Sequence, residues 1–472
     1  MKNAPSSPRT AQQSVGESLK SPILWVSAVG LIAALALFFR WIIENPGYSQ
    51  AARLAAAVSI SLFTAVCLRF VPEWMRFWRF APGRPAFKPD KDELSSESPE
   101  NINLKIFLTL FLVNLSMIPA VYFLRMFIGY RQTFGEYLEF WRCLDSGSYL
   151  NIIKDWYPTE GPTVVQLVFL PGYPVAVRMI NWLIGNELIS GLLVSAVCFP
   201  SAGCVLYNLL RLDYPHKDAL RTIRYLCLMP GLFFYTAPMS ESLFLLLIVS
   251  CLYCCRTRQW LFGCLLGGYA AFTRSLGVTL LVPLIMELVR SIRIHPSGRP
   301  VPLRKWILKS LSLLLVPAGL GAYLLINYQI SGDPFKFQQY QLDHWGQRLG
   351  LFFNTAAYQT RQAIKTYYEN PRTFLGLWLP NLIASFGSLV LVLTAVRRMR
   401  ASYVAWFIAY FFIAIGTTWL LSAPRYLMVI LATPLALSLL AKNRAADFIL
   451  TPVCAVLNLL YLYAFVMRWQ VW

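Results

Sequence analysis

Ionisable residues in four short polar turns carry types that can run one reaction: Asp145 in WRCLDSGSYLNI, Glu241 in TAPMSESLF, Arg274 in AAFTRSLG and Arg425 in LSAPRYL. A carboxylate can take the proton from a hydroxyl while that hydroxyl attacks a carbon, so Asp145 is read as a general base. The negative charge on a departing phosphate needs cations, and arginine suits it best because its planar fork meets two oxygens at once. Lys154, just past the first of these turns, and His344, in a later polar stretch, are further candidates to stabilise that charge. An ionisable group inside an otherwise apolar hairpin costs on the order of 2.5 to 3.5 kcal/mol at mid-membrane, so Glu241 and Arg274 should face a wet or protein-lined cavity. The plainer alternatives are a solvated interfacial carboxylate for Asp145 and a structural Glu–Arg lock between hairpins for Glu241 and Arg274.

The segment 140–174 is a polar and aromatic island holding Asp145, Asp155 and Glu160, three of only 22 acidic residues. Across residues 131–162 Phe134, Tyr137, Leu138, Trp141, Leu144, Ile152 and Ile153 recur at roughly helical spacing, which predicts an amphipathic helix lying along a membrane surface. Asp145, Ser148 and Tyr149 then share one face, since residues three and four apart are neighbours. Further along, SGDPFKFQQYQLDHWGQR supplies Gln338, His344 and Trp345 to stack on or hydrogen-bond a sugar, or to form an interfacial aromatic belt. No spacing of ligands predicts a metal site. Cys251, Cys254 and Cys255 have a CxxC look but lie in an apolar run without a second ligand pair, where packing is the better reading.

The elements that position these residues must be membrane helices. Of 472 residues 57% are hydrophobic and 14% charged, and the apolar residues gather in runs of roughly 15 to 25, the length that crosses a hydrocarbon core. The formal charge of +20 comes from Lys and Arg clustered between those runs, as the positive-inside rule expects, so nucleic acid is not the partner it implies. The first run is too long for a cleaved signal peptide.

The pattern divides the chain into a disordered cytoplasmic N-terminus (1–21), a transmembrane hairpin (22–71), a cytoplasmic linker (72–103) with an acidic serine-rich patch, a core module (104–328) whose first external loop is 129–163, a long external loop (329–372) and C-terminal helices (373–472). The run 164–184, with two prolines, Arg178 and Asn181, reads as re-entrant or interfacial. Spans then follow at 188–210, 222–237, 239–255, 260–273, 275–292, 306–328, 374–396, 402–421, 424–440 and 448–467, about thirteen crossings in all. The basic loops around Arg211, Arg256, Arg290 to Lys305, Arg397 and Lys442 fall inside, and the four chemical turns fall outside. Several middle spans are short, and short helices leave a recessed cavity between them.

Taken together and in order, WRCLDSGSYLNI, VFLPGYP, MSESLF, AAFTRSLGV, GDPFKFQQYQLDHWGQR and SAPRYL resemble the PIG-V mannosyltransferases and their bacterial relatives, over about 104–440. The resemblance implies a GT-C fold, an all-α polytopic bundle in which metal-independent inverting transfer takes place on the non-cytoplasmic face. The donor it implies is a polyprenyl-phosphate-linked sugar, mannose first, with a glycan, glycolipid or glycoprotein acceptor and no cofactor. It carries the catalytic aspartate onto Asp145, a second catalytic carboxylate onto Glu241, and substrate-binding positions onto Arg274, Arg425 and, in VFLPGYP, Tyr173, beside the candidates Tyr149, Lys154, Gln338, His344 and Trp345. Where the family has Trp-Asp this chain has Leu144-Asp145; where it has FFPLYP the chain has Gly172 before Tyr173; and Met239 replaces the Tyr of Tyr-Ser-Glu. The setting expected is a bacterial inner membrane in preference to the endoplasmic reticulum. Two other classes fit some of these features. A transporter or flippase also uses intramembrane Glu and Arg, but the two halves show no inverted repeat. A polysaccharide ligase or polymerase working on a lipid-diphosphate glycan would want more arginines in its large external loop.

Overall fold

The computed structural model describes residues 8–78, 99–293, 303–420 and 422–471. Among them the chain is helical throughout, with no strand and one isolated bridge between Leu349 and Thr417. In order the helices are α1 (Pro8–Glu44), α2 (Gln50–Trp78), α3 (Pro99–Phe127), α4 (Phe134–Leu138), α5 (Ser146–Asp155), α6 (Gly172–Ile184), α7 (Glu187–Arg211) and α8 (His216–Leu228). Then come α9 (Glu241–Arg256), α10 (Trp260–Thr273), α11 (Leu281–Arg293), α12 (Leu303–Ser312), α13 (Leu315–Ser331), α14 (Lys336–Trp345) and α15 (Phe352–Glu369). The last are α16 (Pro371–Thr373), α17 (Leu379–Ala395), α18 (Ala401–Ala414), α19 (Ala423–Met428), α20 (Ala432–Leu440) and α21 (Arg444–Val466).

Among the described residues seven helical stretches are long and apolar enough to cross a membrane: Pro22–Glu44, Gln50–Trp78, Glu100–Phe127, Glu187–Arg211, Trp306–Ser331, Pro371–Arg398 and Arg444–Val466. The chain is an integral, multi-pass membrane protein. An eighth candidate, Pro162–Val168 with Gly172–Ile184, is bent by 107°, the broken form expected for that run. The other apolar runs make shorter helices. α9 has 16 residues and α10 and α18 have 14 each, so the longest of them is about 24 Å against a hydrocarbon core of about 30 Å. α10 still leaves Leu261, Phe262 and Leu265 exposed. α9 is buried on every side between α7 and α10, as a helix apolar all round should be, whereas the apolar face of α1 is open to lipid.

Close packing fixes the pieces that matter most. α10 and α13 touch backbone to backbone: a Cβ on Gly319 would lie 1.8 Å from the Gly268 carbonyl oxygen, so only glycine fits. A Cβ on Gly172 would lie 2.3 Å from Thr273 Oγ1 and 2.7 Å from Thr273 Cα, seating the start of α6 directly on the end of α10.

Four expectations are corrected. The amphipathic helix of the first loop is broken into α4, a 3-10 turn at Glu139–Trp141 and α5, because Leu144 adopts φ +54° between them. The run 222–237 is not one helix, since Pro230 and Gly231 (φ +99°) stop it after α8. The loop 329–372 is largely helical. Its α15 buries Phe352, Phe353, Ala356, Ala357 and Ala363 along one face and docks on the N-terminal hairpin, where Trp41 Nε1 donates to Asn354 Oδ1 at 2.9 Å. Finally, helix α1 begins at Pro8, inside the N-terminal segment expected to be disordered, with proline at its first position, where the missing N–H costs no hydrogen bond. Most of the linker, residues 79–98, and most of the third basic loop, 294–302, lie outside the described residues, as do 1–7.

At the C-terminal end of α9 a buried ring of charges ties four segments together. Arg400 grips Glu287 with Nε and Nη2 at 2.6 and 2.7 Å and reaches Asp213 with Nη1 at 2.7 Å. Arg256 meets both oxygens of Asp213 and donates to Tyr403 Oη at 2.9 Å, and Ser402 Oγ donates to Glu287 at 2.6 Å.

Candidate active site

Asp145 is set by the turn that breaks the first loop. Thr133 starts α4 with a full capping box, its hydroxyl taking the Glu136 N–H while the Glu136 carboxylate takes the Thr133 N–H. Trp141 Nε1 donates to Tyr137 Oη at 2.9 Å, and the Tyr137 hydroxyl in turn donates to the Ile118 carbonyl of α3. The buried Ser146 then closes the turn, accepting from the Cys143 N–H at 2.8 Å and donating to the Trp141 carbonyl at 2.9 Å. Leu144 is held in the left-handed region that leucine rarely adopts, and the next residue is Asp145. Local strain of this kind, about 1 to 3 kcal/mol, persists where the surroundings over-determine it.

Three other turns arrive at the same place. Asn114 of α3 donates to the Tyr235 carbonyl at 3.0 Å and Ser242 does so at 2.7 Å, which fixes the turn before Glu241 at the start of α9. Arg274 is extended at the end of α10, where the Gly172 contact seats the backbone. The Ala423 N–H donates to the buried Asn381 Oδ1 at 2.8 Å, which fixes the start of α19 and so Arg425.

The four side chains form one ion-paired chain. Arg425 Nη1 lies 2.6 Å from Asp145 Oδ2, Arg425 Nε lies 2.6 Å from Glu241 Oε1, and Arg274 Nη1 lies 2.6 Å from the same Glu241 oxygen. Ser240 adds a link, its hydroxyl 3.4 Å from Arg274 Nη1 and 3.2 Å from Tyr149 Oη, which donates to it. Only Asp145 is appreciably open, its side chain 28% exposed against 7% for Arg425 and 0% for Glu241. The second Glu241 oxygen, Oε2, is buried without a hydrogen-bond partner.

A cavity of about 270 Å³ opens on this chain, close to the lower end of small-molecule sites. Asp145, Tyr149, Arg274 and Arg425 make its polar wall, and Phe169, Trp345 and Trp419 make an aromatic one. Of the residues the sequence singled out, Asp145, Tyr149, Arg274, Arg425 and Trp345 line it. Glu241 does not; it stands behind the two arginines and reaches the cavity only through them. Tyr173 is likewise buried behind the wall, its hydroxyl donating to the Gly191 carbonyl at 3.1 Å and its ring edge-on to Tyr149 at 5.3 Å. Lys154, Gln338 and His344 are exposed and line no part of the cavity. At about 100° per residue Lys154 lies half a turn round the helix from Asp145. On α14 the face toward the cavity is Gln341 and Trp345, four apart, which leaves Gln338 and His344 off it.

Gln341, Gln347, Trp419, Ser422 and Tyr426 also line the cavity and were not singled out. Gln347 Nε2 donates to the Trp419 carbonyl at 2.7 Å, joining the α14 segment to the strand of chain before α19. The signal was present for the amides, which flank Trp345, and for Tyr426, which follows Arg425; nothing local marks Trp419. Among the described residues no three His, Cys, Asp or Glu side chains gather as a metal site. Compared with known proteins, the chain matches no family model, no curated protein and no solved structure.

Proposed function

We propose that the chain is a membrane-integral glycosyltransferase of GT-C architecture, with about thirteen crossings. It transfers a sugar, mannose first, from a polyprenyl-phosphate donor to an acceptor hydroxyl on the extracytoplasmic face. One observation carries the reading: Asp145, Arg274 and Arg425, from segments far apart in sequence, meet on one wall of one cavity, linked through Glu241. The sidedness is supported by the basic clusters. Arg256 and Arg400 stand at the far end of the short helices α9 and α18, and cations collect on the cytoplasmic side.

In this reaction the acceptor hydroxyl gives its proton to Asp145 as its oxygen bonds to the anomeric carbon. The bond from that carbon to the phosphate oxygen breaks on the opposite face, and the electron pair leaves on the lipid phosphate. One carboxylate on the cavity suffices for this inverting displacement. Arg274 and Arg425 neutralise the departing phosphate, and Tyr149, Trp345 and the amides of Gln341 and Gln347 hold the sugar. In the resting site Arg425 is paired with Asp145, so a donor phosphate that draws Arg425 to itself also frees the base. Glu241 stops the two guanidiniums from repelling each other before the phosphate arrives.

The test is incubation of the purified chain with a panel of polyprenyl-phosphate sugars and glycan or glycolipid acceptors, following release of the lipid phosphate. Release with at least one sugar, lost in Asp145→Asn, is expected. Binding of no polyprenyl phosphate, or turnover unchanged in Asp145→Asn, ends the proposal.

A further inference from the structure

A second group of cations stands at the same end of the bundle but outside the cavity. Arg125 lies in the last turn of α3 and Arg468 just follows α21. Arg125 is only 5% exposed. Its guanidinium sits 4.2 Å from the Tyr130 ring and 4.4 Å from the Phe140 ring, with Nη1 donating to the Val466 carbonyl at 3.3 Å and Nη2 to Gln132 Oε1 at 3.4 Å. Arg468 is exposed and lies 5.2 Å from that same Phe140 ring.

This is a group rich in donors and poor in acceptors. Among the described residues no carboxylate comes within ion-pair distance of either arginine. The two acids nearest in sequence are engaged elsewhere, Glu136 in the Thr133 capping box and Glu139 with Arg142 at 3.0 Å. Two buried donors find no acceptor, Arg125 Nε and Gln132 Nε2, the latter because the amide turns its oxygen to Arg125. Buried donors without acceptors lose their hydration and gain nothing in return, and two guanidiniums against one ring repel. A single anion relieves both.

We infer that Arg125, Arg468 and Gln132 form a phosphate-binding site. The two arginines end the apolar stretches Glu100–Phe127 and Arg444–Val466, the level at which lipid phosphates lie, and Phe123 and Phe127 beside them are exposed to lipid. The anion is thus a phosphate group, carried by a membrane lipid or free in solution. The inference does not rest on the transferase reading, since neither arginine lines the cavity of Asp145.

The test uses the full chain in an uncharged detergent, following the unfolding midpoint during titration with short-chain phosphatidylglycerol, with phosphatidylcholine and with inorganic phosphate. Arg397→Gln, an exposed cation beside the ring at the far end of α9, controls for general attraction of anions. Phosphatidylglycerol should raise the midpoint while phosphatidylcholine does not, and Arg468→Gln should weaken the half-saturating concentration about tenfold while Arg397→Gln leaves it unchanged. Arg125→Gln should do the same, and if it does not fold, the exposed Arg468 decides alone. Protection by inorganic phosphate that is lost in Arg468→Gln supports the same site with a soluble source. Protection by either phosphate that survives unaltered in Arg468→Gln, or is altered equally by Arg397→Gln, overturns the inference.

Discussion

Helix α9 carries a charge cluster at each end, built from the same parts: two arginines and two carboxylates. At its C-terminal end, Asp213 and Glu287 are gripped by Arg256 and Arg400, with Ser402 and Tyr403 taking up remaining sites. No buried side-chain nitrogen or oxygen of those six residues lacks a partner. At its N-terminal end, Glu241 leaves one oxygen unpaired and Asp145 has a single ion pair and a face on the cavity. Charge balance is therefore no guide to function. What separates a structural lock from a reactive site is whether bonding capacity remains, and here only the Asp145 end has any to offer.

That contrast is broken most sharply by exchanging the expected phenotypes. Asp145→Asn should lower transfer by about 10²- to 10⁴-fold, the span of general base catalysis, while the unfolding midpoint stays within the small effect of a half-open pair. Thermal unfolding alongside a lipid-phosphate release assay checks both; a large loss of stability would make Asp145 part of a lock. Arg400→Ala should do the converse. It strands the buried Glu287, whose two oxygens it grips, while Asp213 keeps Arg256, and should cost about 3 to 5 kcal/mol of stability, with the turnover of the remaining folded protein unchanged. Normal unfolding with impaired turnover would give the ring a role in the reaction.

The sequence made these two ends unequally legible. Glu241, Arg274 and Arg425 could be picked out because each interrupts an apolar run, and Asp145 because it lies in a polar island between such runs; both are local signals. The ring was read only as loop cations, because Arg256 and Arg400 sit where positive charge is expected anyway, and nothing local tells that Asp213 and Glu287 come from distant segments to meet them. The same limit explains Glu241. Its type and turn mark it as special, but whether it faces the cavity or backs the arginines depends on where α10 and α19 arrive. The helical, membrane-bound nature of the chain follows from the length of its apolar runs. The break at Leu144 does not, since residues 134–153 keep helical periodicity straight through it and only the docked Tyr137, Trp141 and Ser146 impose the turn.

Glu241→Gln sharpens the comparison from within the site. It leaves Arg274 and Arg425 without the charge that lies 2.6 Å from both, so the guanidiniums should separate and Arg425 should bind Asp145 alone. Under the proposed reaction the loss falls on use of the donor, about 10- to 100-fold in kcat/KM, with KM for the lipid donor carrying much of it. A kcat effect as deep as that of Asp145→Asn with donor KM untouched would instead make Glu241 a group that acts on the reacting atoms.

The smallest effect tests whether the site depends on its backing. Gly172 packs so closely on Thr273 that even one methyl group meets backbone at 2.7 and 2.8 Å, and the residue after Thr273 is Arg274. Gly172→Ala must therefore push α6 away from α10, at about 1 to 3 kcal/mol, the usual cost of overfilling a packed contact. Gly147→Ala is the fair control, since nothing lies within 4 Å of the Cβ it adds inside α5 and alanine favours a helix. If the seat of α6 on α10 aims Arg274, Gly172→Ala loses donor affinity in excess of its loss of stability, while Gly147→Ala loses neither. Equal stabilities for the two variants would show that the contact yields without strain, and the Arg274 end would then be set by Glu241 alone.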